Sequence, residues 1–168
     1  MKIEIKEGLA TLLFEDQISR IIQITDTLPL RFSGARIFRS TAQSIPKDTY
    51  TAISFDTVQV DTDGYFSVVN PTRLTIPRGG YYLFGGRMSY AVNNTGLREV
   101  VLARNGDGLG YGVDSRVAVT SALTKITIAF LNELNTDDYL ELLAWQNSGD
   151  ALDIYTGTGA LWVHYLGP

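Results

Sequence analysis

Residues 74–90 read LTIPRGGYYLFGGRMSY, and this stretch decides how the rest of the chain can fold. Pro77, Gly79 and Gly80 predict a sheet corner, because proline lacks an amide donor and glycine tolerates positive φ angles. The residues that follow alternate with the period of a β-strand. One face receives Tyr82, Phe84, Gly86, Met88 and Tyr90, and the other receives Tyr81, Leu83, Gly85, Arg87 and Ser89. Both faces begin apolar, so we expect a central strand covered on both sides.

The composition is that of a single globular domain with a substantial core. The chain has 168 residues, of which 45% are hydrophobic, and a formal net charge of −4. A net negative charge argues against an electrostatic nucleic-acid surface, and no apolar run approaches the roughly 20 residues of a membrane helix. The absence of cysteine excludes disulfides and thiolate metal sites.

Residues 1–33 are predicted to form an N-terminal arm that is separate from a domain at residues 34–168. The arm fits a helical apolar stripe formed by Phe14, Ile18, Ile21 and Ile22, with Leu9 and Leu12 nearby. Ile18, Ile22 and Ile24 would suit a strand almost as well. The arm is either an ordinary packing segment or an attachment to a larger assembly. Residues 1–7, MKIEIKE, carry too many charges for a signal peptide, so we expect none.

From residue 35 onward, short alternating segments are separated by turn residues. The Asp61-Thr62-Asp63-Gly64 segment contains an Asp-Gly pair, which predicts a hairpin between residues 58–60 and residues 65–69. Further strands are predicted at residues 35–39, 50–55, 81–90, 99–104, 117–122, 125–131, 139–145 and 160–166. About ten short antiparallel strands indicate an all-β sandwich or jelly roll.

Several motifs occur in the order found in one known family. Residues 74–84 resemble the F-T-x-P-x-x-G-x-Y-x-F signature of the C1q/tumour necrosis factor (TNF) jelly-roll family, with Leu74 in place of phenylalanine. Residues 104–106, RNG, resemble its K-N-G turn. Residues 134–142, LNTDDYLEL, are similar to L-x-x-G-D-x-V-x-L, with Asp137 in place of glycine. The resemblance covers residues 34–168 and implies a ten-stranded jelly roll that assembles as a homotrimer.

The apolar strand faces independently favour a trimer, since a lone subunit would leave them in water. The predicted trimer interface contains Tyr81, Leu83, Arg87, Tyr139, Glu141 and Leu143. Arg87 and Glu141 are expected either to pair near the three-fold axis or to remain solvated surface charges.

Catalysis has little support in the sequence, and we expect no enzyme activity. His164 is the only histidine, there is no Gly-x-Ser-x-Gly motif, and no phosphate-binding Gly-Lys-Ser/Thr follows the glycines of residues 106–112. Asp61 and Asp63 resemble the start of a calcium loop without its later ligands, which favours a turn. We therefore expect no metal and no cofactor, although some members of the resembled family bind calcium near loops such as that of Asp107.

The sequence thus predicts a trimeric, non-enzymatic structural or recognition module, most simply a bacteriophage fibre, knob or decoration protein on the virion. Residues 1–33 would attach it to a capsid or tail. Loop residues Asn93, Asn94, Asn105 and Asp107 would contact a host-surface glycan or protein. The alternatives are a bacterial C1q-like surface or spore-coat adhesin outside the cell, and a small jelly-roll enzyme.

Overall fold

The computed structural model describes residues 2–6, 9–13, 32–107 and 112–168. The chain divides into two compact units, Met1–Phe32 and Ser33–Pro168. All regular elements in the described residues are β-strands. No helix in these residues is long and apolar enough to cross a membrane.

The N-terminal unit contains an antiparallel hairpin of β1 (Lys2–Lys6) and β2 (Leu9–Leu13). The predicted helical stripe is therefore wrong at Leu9 and Leu12, which lie in a strand. The backbone amides and carbonyls of β2 form hydrogen bonds with β1, whereas in a helix they would form them within the same segment. The remainder of the stripe, Phe14 to Ile22, lies outside the described residues.

The second unit is an antiparallel β-sandwich, which confirms the predicted all-β fold. Its twelve strands in the described residues are β3 (Gly34–Phe38), β4 (Gln43–Ile45), β5 (Thr51–Ala52), β6 (Thr57–Asp61), β7 (Arg73–Thr75), β8 (Gly80–Tyr90), β9 (Leu97–Arg104), β10 (Val113–Val117), β11 (Thr124–Leu134), β12 (Tyr139–Gln146), β13 (Leu152–Ile154) and β14 (Ala160–Gly167).

The strands form two sheets whose inner faces enclose one core. The first sheet has seven strands in the order β4-β13-β8-β14-β3-β6, with β11 also paired to β8. The second has five strands in the order β10-β9-β12-β5, with β7 also paired to β12. Strand β8 is central, as its sequence predicts, because β11 and β14 both pair along its length.

The core forms where the inner faces of β8 and β12 meet. Tyr82, Phe84, Met88 and Tyr90 of β8 are all buried, and so are Leu140, Leu142 and Ala144 of β12. Each large apolar side chain buried here contributes on the order of 1.5–3 kcal/mol. The alternation read from residues 81–90 therefore assigns the core face of β8 correctly.

Two adjacent glycines allow side chains to approach β8 closely from both sides. A methyl group at Gly86 would overlap the side chain of Leu142, which crosses the core from β12. At Gly85, on the opposite face, a methyl group would lie 2.6 Å from Cζ2 of Trp162 in β14. Both side chains can contact the β8 backbone only because the Cβ atoms are missing.

The predicted hairpin after β6 is wrong. Asp61 ends β6, and its carboxylate accepts hydrogen bonds from the backbone amides of Gly64, Tyr65 and Phe66, each at 2.9 Å. The chain therefore wraps around this side chain. Residues 65–69 form no strand beyond a single bridge between Phe66 and Leu74, while β6 pairs with β3 instead.

Two further strand predictions differ from the structure. The strand predicted at residues 117–122 is wrong, because β10 ends at Val117 and residues 118–122 form no strand. The strand predicted at residues 50–55 is only two residues long. The short strands β4, β7 and β13 were missed, since three residues give too little alternation for a pattern to be recognised.

A buried carboxylate joins the turn after β9 to the turn before β12. Asp138 accepts hydrogen bonds from Asn105 Nδ2 at 2.7 Å and from the Asn135 amide at 2.6 Å, and it forms an ion pair with Arg104 Nη2 at 2.6 Å. Asp137 before it adopts a φ of 68°, so it takes the left-handed conformation for which the resembled motif uses glycine.

Burial by itself would raise the pKa of Asp138. The hydrogen bonds from Asn105, Asn135 and Arg104 outweigh that effect, so the pKa of this carboxyl lies below its ordinary value. The ionised form therefore stabilises the fold at neutral pH.

We expect Gly86→Ala to lower the free energy of unfolding by about 1–3 kcal/mol, because the new methyl group overlaps Leu142 in a packed core. Gly79→Ala is the matched control, since a methyl group there would meet no atom closer than 3.7 Å. Urea denaturation measures both variants. Equal stability of Gly86→Ala and Gly79→Ala would show that the two sheets are not in close contact at β8.

We expect Asp138→Asn to destabilise the protein by about 1–3 kcal/mol at pH 7, through loss of charge-assisted hydrogen bonds. Because the folded pKa is lowered, the contribution of Asp138 is complete above its unfolded pKa of about 3.9 and disappears as the pH falls through the folded value. Denaturation from pH 7 to pH 3 should therefore show wild type and variant converging. Asp153→Asn, at an exposed position, should show no such convergence.

Candidate functional site

The outer face of the seven-stranded sheet, which points away from the core, carries exposed apolar side chains. On β8, Tyr81 is 47% exposed and Leu83 is 42% exposed. Leu131 of β11 lies directly opposite Leu83 in the strand register and is 63% exposed. A contiguous apolar sheet face of this kind is typical of a surface that contacts another protein.

Strand β14 extends this apolar face with two rings. Trp162 lies opposite Gly85, and its indole lies across the β8 backbone at the position that the glycine leaves open. His164 lies opposite Leu83 in the same pairing. Both rings are half-buried, so Trp162 and His164 join Tyr81 and Leu83 in one outer face.

Charged side chains lie beside the apolar ones on the same outer face. Arg36 of β3 lies opposite Trp162, and Arg87 of β8 is exposed. Within the described part of the chain, Arg87 forms no ion pair. Glu133 of β11, opposite Tyr81, is an exposed carboxylate on this face.

The other predicted interface residues lie on a different sheet. Tyr139, Glu141 and Leu143 are half-buried on the outer face of the five-stranded sheet, where Glu141 accepts a hydrogen bond from Thr72 Oγ1 at 2.8 Å. Arg87 and Glu141, which were expected to pair near a three-fold axis or to remain solvated, therefore lie on the outer faces of different sheets. The two sheets point their outer faces in opposite directions, so the six predicted residues form no single surface on one protomer.

The predicted ligand-binding loops are also separated. Asn93 and Asn94 precede the start of β9, whereas Asn105 and Asp107 follow its end. Eight residues of strand at about 3.3 Å each place them roughly 25 Å apart, at opposite ends of the sandwich. One binding site on a protomer cannot contain all four.

Their polar side chains largely hold their own loops in place. Asn93 accepts hydrogen bonds from the Thr95 amide and from Arg98, and Asn94 Oδ1 accepts one from the Ser121 amide at 3.0 Å. Asn105 donates to Asp138 and accepts from the Tyr139 amide. Asp107 is exposed, and its backbone pairs with Arg104.

Arg98 is a fully buried cation that the sequence did not single out. Its guanidinium donates hydrogen bonds to the backbone carbonyls of Asn93, Thr95 and Leu97 at 2.9–3.1 Å. Burial lowers the pKa of this group. Arg98 therefore serves to close the loop between β8 and β9.

The aspartates with a calcium-loop pattern are used within the protein. Asp61 caps three backbone amides, and Asp63 accepts hydrogen bonds from the hydroxyls of Ser33 and Thr62. Across residues 32–107 and 112–168, no group of three or more acidic or histidine side chains is arranged to hold a metal ion.

Sequence reasoning missed Leu131, Trp162 and Arg36 as members of the outer face of the seven-stranded sheet. Each lies on a strand that alternation predicts. The signal that could have placed them is the pairing register of β11, β14 and β3 with their neighbours, which links residues far apart in the chain.

No family model matches the chain, and no curated protein matches it in sequence. Solved structures do match it. A TNF protein of S. frugiperda, Eiger, is 14% identical with a TM-score of 0.59, and the match covers 81% of this chain and 93% of that one.

Two further structures show the same likeness. The globular domain of zebrafish complement 1qA is 12% identical with a TM-score of 0.59, covering 80% of this chain and 96% of its own. Murine APRIL is 14% identical with a TM-score of 0.63, covering 81% of this chain and all of its own. The chain therefore has the jelly-roll fold of TNF and C1q globular domains.

Proposed function

We propose that this chain is a non-enzymatic homotrimeric module for structure or recognition, assembled through the outer face of the seven-stranded sheet. The observation that carries the proposal is the exposure of Tyr81, Leu83 and Leu131 side by side on that face. Burying each between subunits would contribute on the order of 1.5–3 kcal/mol. The C1q/TNF-like fold supports three copies as the number.

The size of this face is sufficient for a large part of a stable contact. Strands β11, β8, β14, β3 and β6 are separated by four spacings of about 4.8 Å, which give a width of roughly 19 Å, and an average of about eight residues gives a length of roughly 26 Å. The product, on the order of 500 Å², is more than half of the roughly 800 Å² that each partner buries in a standard interface.

The charges on the face also favour a defined arrangement. Arg87 of three copies would repel in a dry contact unless each met a carboxylate. Glu133 lies on the same outer face, whereas Glu141 does not. We therefore assign Glu133 of a neighbouring copy, in place of Glu141, as the partner of Arg87.

The biological role that we propose is that of a bacteriophage fibre, knob or decoration protein on the virion. The separate compact unit at Met1–Phe32 supports a division between an attaching segment and a jelly-roll head. Such a head would present three identical surfaces to a host-surface partner, and three weak sites gain strength from their high effective concentration.

We expect wild-type protein to have three times the mass of one chain by light scattering, and Leu83→Asp to reduce that mass to one chain. A carboxylate buried between subunits without a partner costs several kcal/mol. Val68→Asp is the control, because Val68 is 83% exposed in a loop outside both sheets. A wild-type protein of single-chain mass, or dissociation by Val68→Asp alone, would contradict assembly through this face.

We expect a chain without residues 1–32 to remain trimeric by light scattering but to be absent from virus particles. Assembly would then depend on the jelly-roll unit and attachment on the N-terminal unit. Antibody labelling of particles and cells by electron microscopy measures the second effect. Full-length protein labelled on cell surfaces instead of particles would favour an adhesin and contradict the virion role.

A further inference from the structure

Four side chains form one row across the outer face of the five-stranded sheet. Trp145 of β12 lies opposite Glu99 of β9, and Glu99 lies opposite Ser115 of β10. Tyr50 directly precedes β5, whose Thr51 pairs with Ala144, so Tyr50 comes beside Trp145. The row therefore runs Tyr50, Trp145, Glu99, Ser115.

The row is held in a defined geometry. The Tyr50 and Trp145 rings lie 6.1 Å apart between centroids with an interplanar angle of 34°. The Tyr50 hydroxyl reaches past Trp145 and donates to Glu99 Oε2 at 2.8 Å, while Ser115 Oγ donates to Glu99 Oε1 at 2.8 Å. The Tyr50 ring therefore packs against Trp145 and its hydroxyl is bonded to Glu99, yet the residue is still 52% exposed.

The row offers two kinds of contact to a ligand. The exposed aromatic ring presents an apolar surface, and the Glu99 carboxylate has about four acceptor positions, of which the Tyr50 and Ser115 hydroxyls use two. The remaining acceptor positions can receive ligand hydroxyl groups. An apolar surface next to convergent polar groups is the general composition of a small-molecule site.

The charges around the row favour a neutral ligand. The charged residues next to Ser115 and Tyr50 along the chain are paired with each other, Asp114 with Arg116 at 2.9 Å and Lys47 with Asp48 at 3.7 Å. Glu99 is the one charged side chain of the row, and its carboxylate already accepts hydrogen bonds from two neutral hydroxyl groups. A phosphate would be repelled by it, and a polycation would find only one charge to meet.

We propose that the row of Tyr50, Trp145, Glu99 and Ser115 binds a neutral saccharide, with a sugar ring stacked on Tyr50 and sugar hydroxyls bonded to Glu99. The row crosses three strand spacings, about 14 Å, which accommodates two or three sugar rings. This proposal rests on the recognition function proposed above and places its glycan contact on a sheet face. The side-chain amides of Asn93, Asn94 and Asn105, by contrast, are largely engaged in hydrogen bonds within the protein.

Saturation-transfer NMR of the full-length protein with methyl glycosides of glucose, galactose, mannose and N-acetylglucosamine tests the proposal. A glycan array then extends the test to longer saccharides, and calorimetry measures the dissociation constant of the best binder. We expect Tyr50→Ala to weaken binding at least tenfold, because the stacking surface is lost. Tyr155→Ala is the matched control, since Tyr155 is 51% exposed at a position away from the row.

Two further variants separate the contributions of ring and carboxylate. Tyr50→Phe keeps the ring and removes the hydroxyl that holds it to Glu99, so it should weaken binding less than Tyr50→Ala does. Glu99→Gln keeps the shape and removes the charge, and it should weaken binding several-fold. Circular dichroism and light scattering establish that each variant remains folded and assembled.

Each outcome decides a different point. Saccharide binding that Tyr50→Ala and Tyr155→Ala affect equally would place the site elsewhere and leave the recognition function standing. A trimer that binds no saccharide in either assay would overturn the saccharide site, while light scattering would still support the trimeric module. Binding of choline, but of no glycoside, would show a cation site and overturn the assignment to a neutral ligand.

Discussion

The close approach of two side chains to the β8 backbone is the contact on which the rest of this structure depends. Gly86 admits Leu142 from the five-stranded sheet on one side, and Gly85 admits Trp162 on the other. The first approach sets how tightly the two sheets pack. The second lays an indole across the centre of the opposite face, beside Leu83 and Arg36. One glycine pair therefore shapes both the core and the candidate interface.

The two outer faces of the sandwich differ in the side chains near their centres. On the five-stranded sheet, Val101 and Ala103 are buried and Tyr50 is hydrogen-bonded to Glu99, while the exposed apolar side chains lie toward the edge strand β10, at Leu97, Val113 and Val117. On the seven-stranded sheet, Tyr81, Leu83 and Leu131 are exposed along the central strand β8 and its neighbour. A hydrogen-bonded polar row suits a ligand site, and an apolar face along a central strand suits a second protein chain.

Much of the fold could be predicted from local patterns. The alternation of residues 81–90 assigned Tyr82 and Phe84 to the core, and the turn that contains Asp137 and Asp138 was recognised despite the missing glycine. One error arose because a side chain bonds beyond its own strand. Asp61 was read as part of a hairpin, but its carboxylate caps three amides and β6 pairs with β3.

The candidate site was predicted less well than the fold. The sequence by itself determined which residues of each strand point the same way, because side chains alternate along any extended backbone. Only the tertiary structure decided that Glu141 lies on the sheet opposite Arg87, that Asn93 and Asn105 lie at opposite ends of β9, and that Trp162 joins Leu83 on one face. Those relations depend on strand register and sheet order, which arise from pairing between residues distant in the chain and leave no local signal.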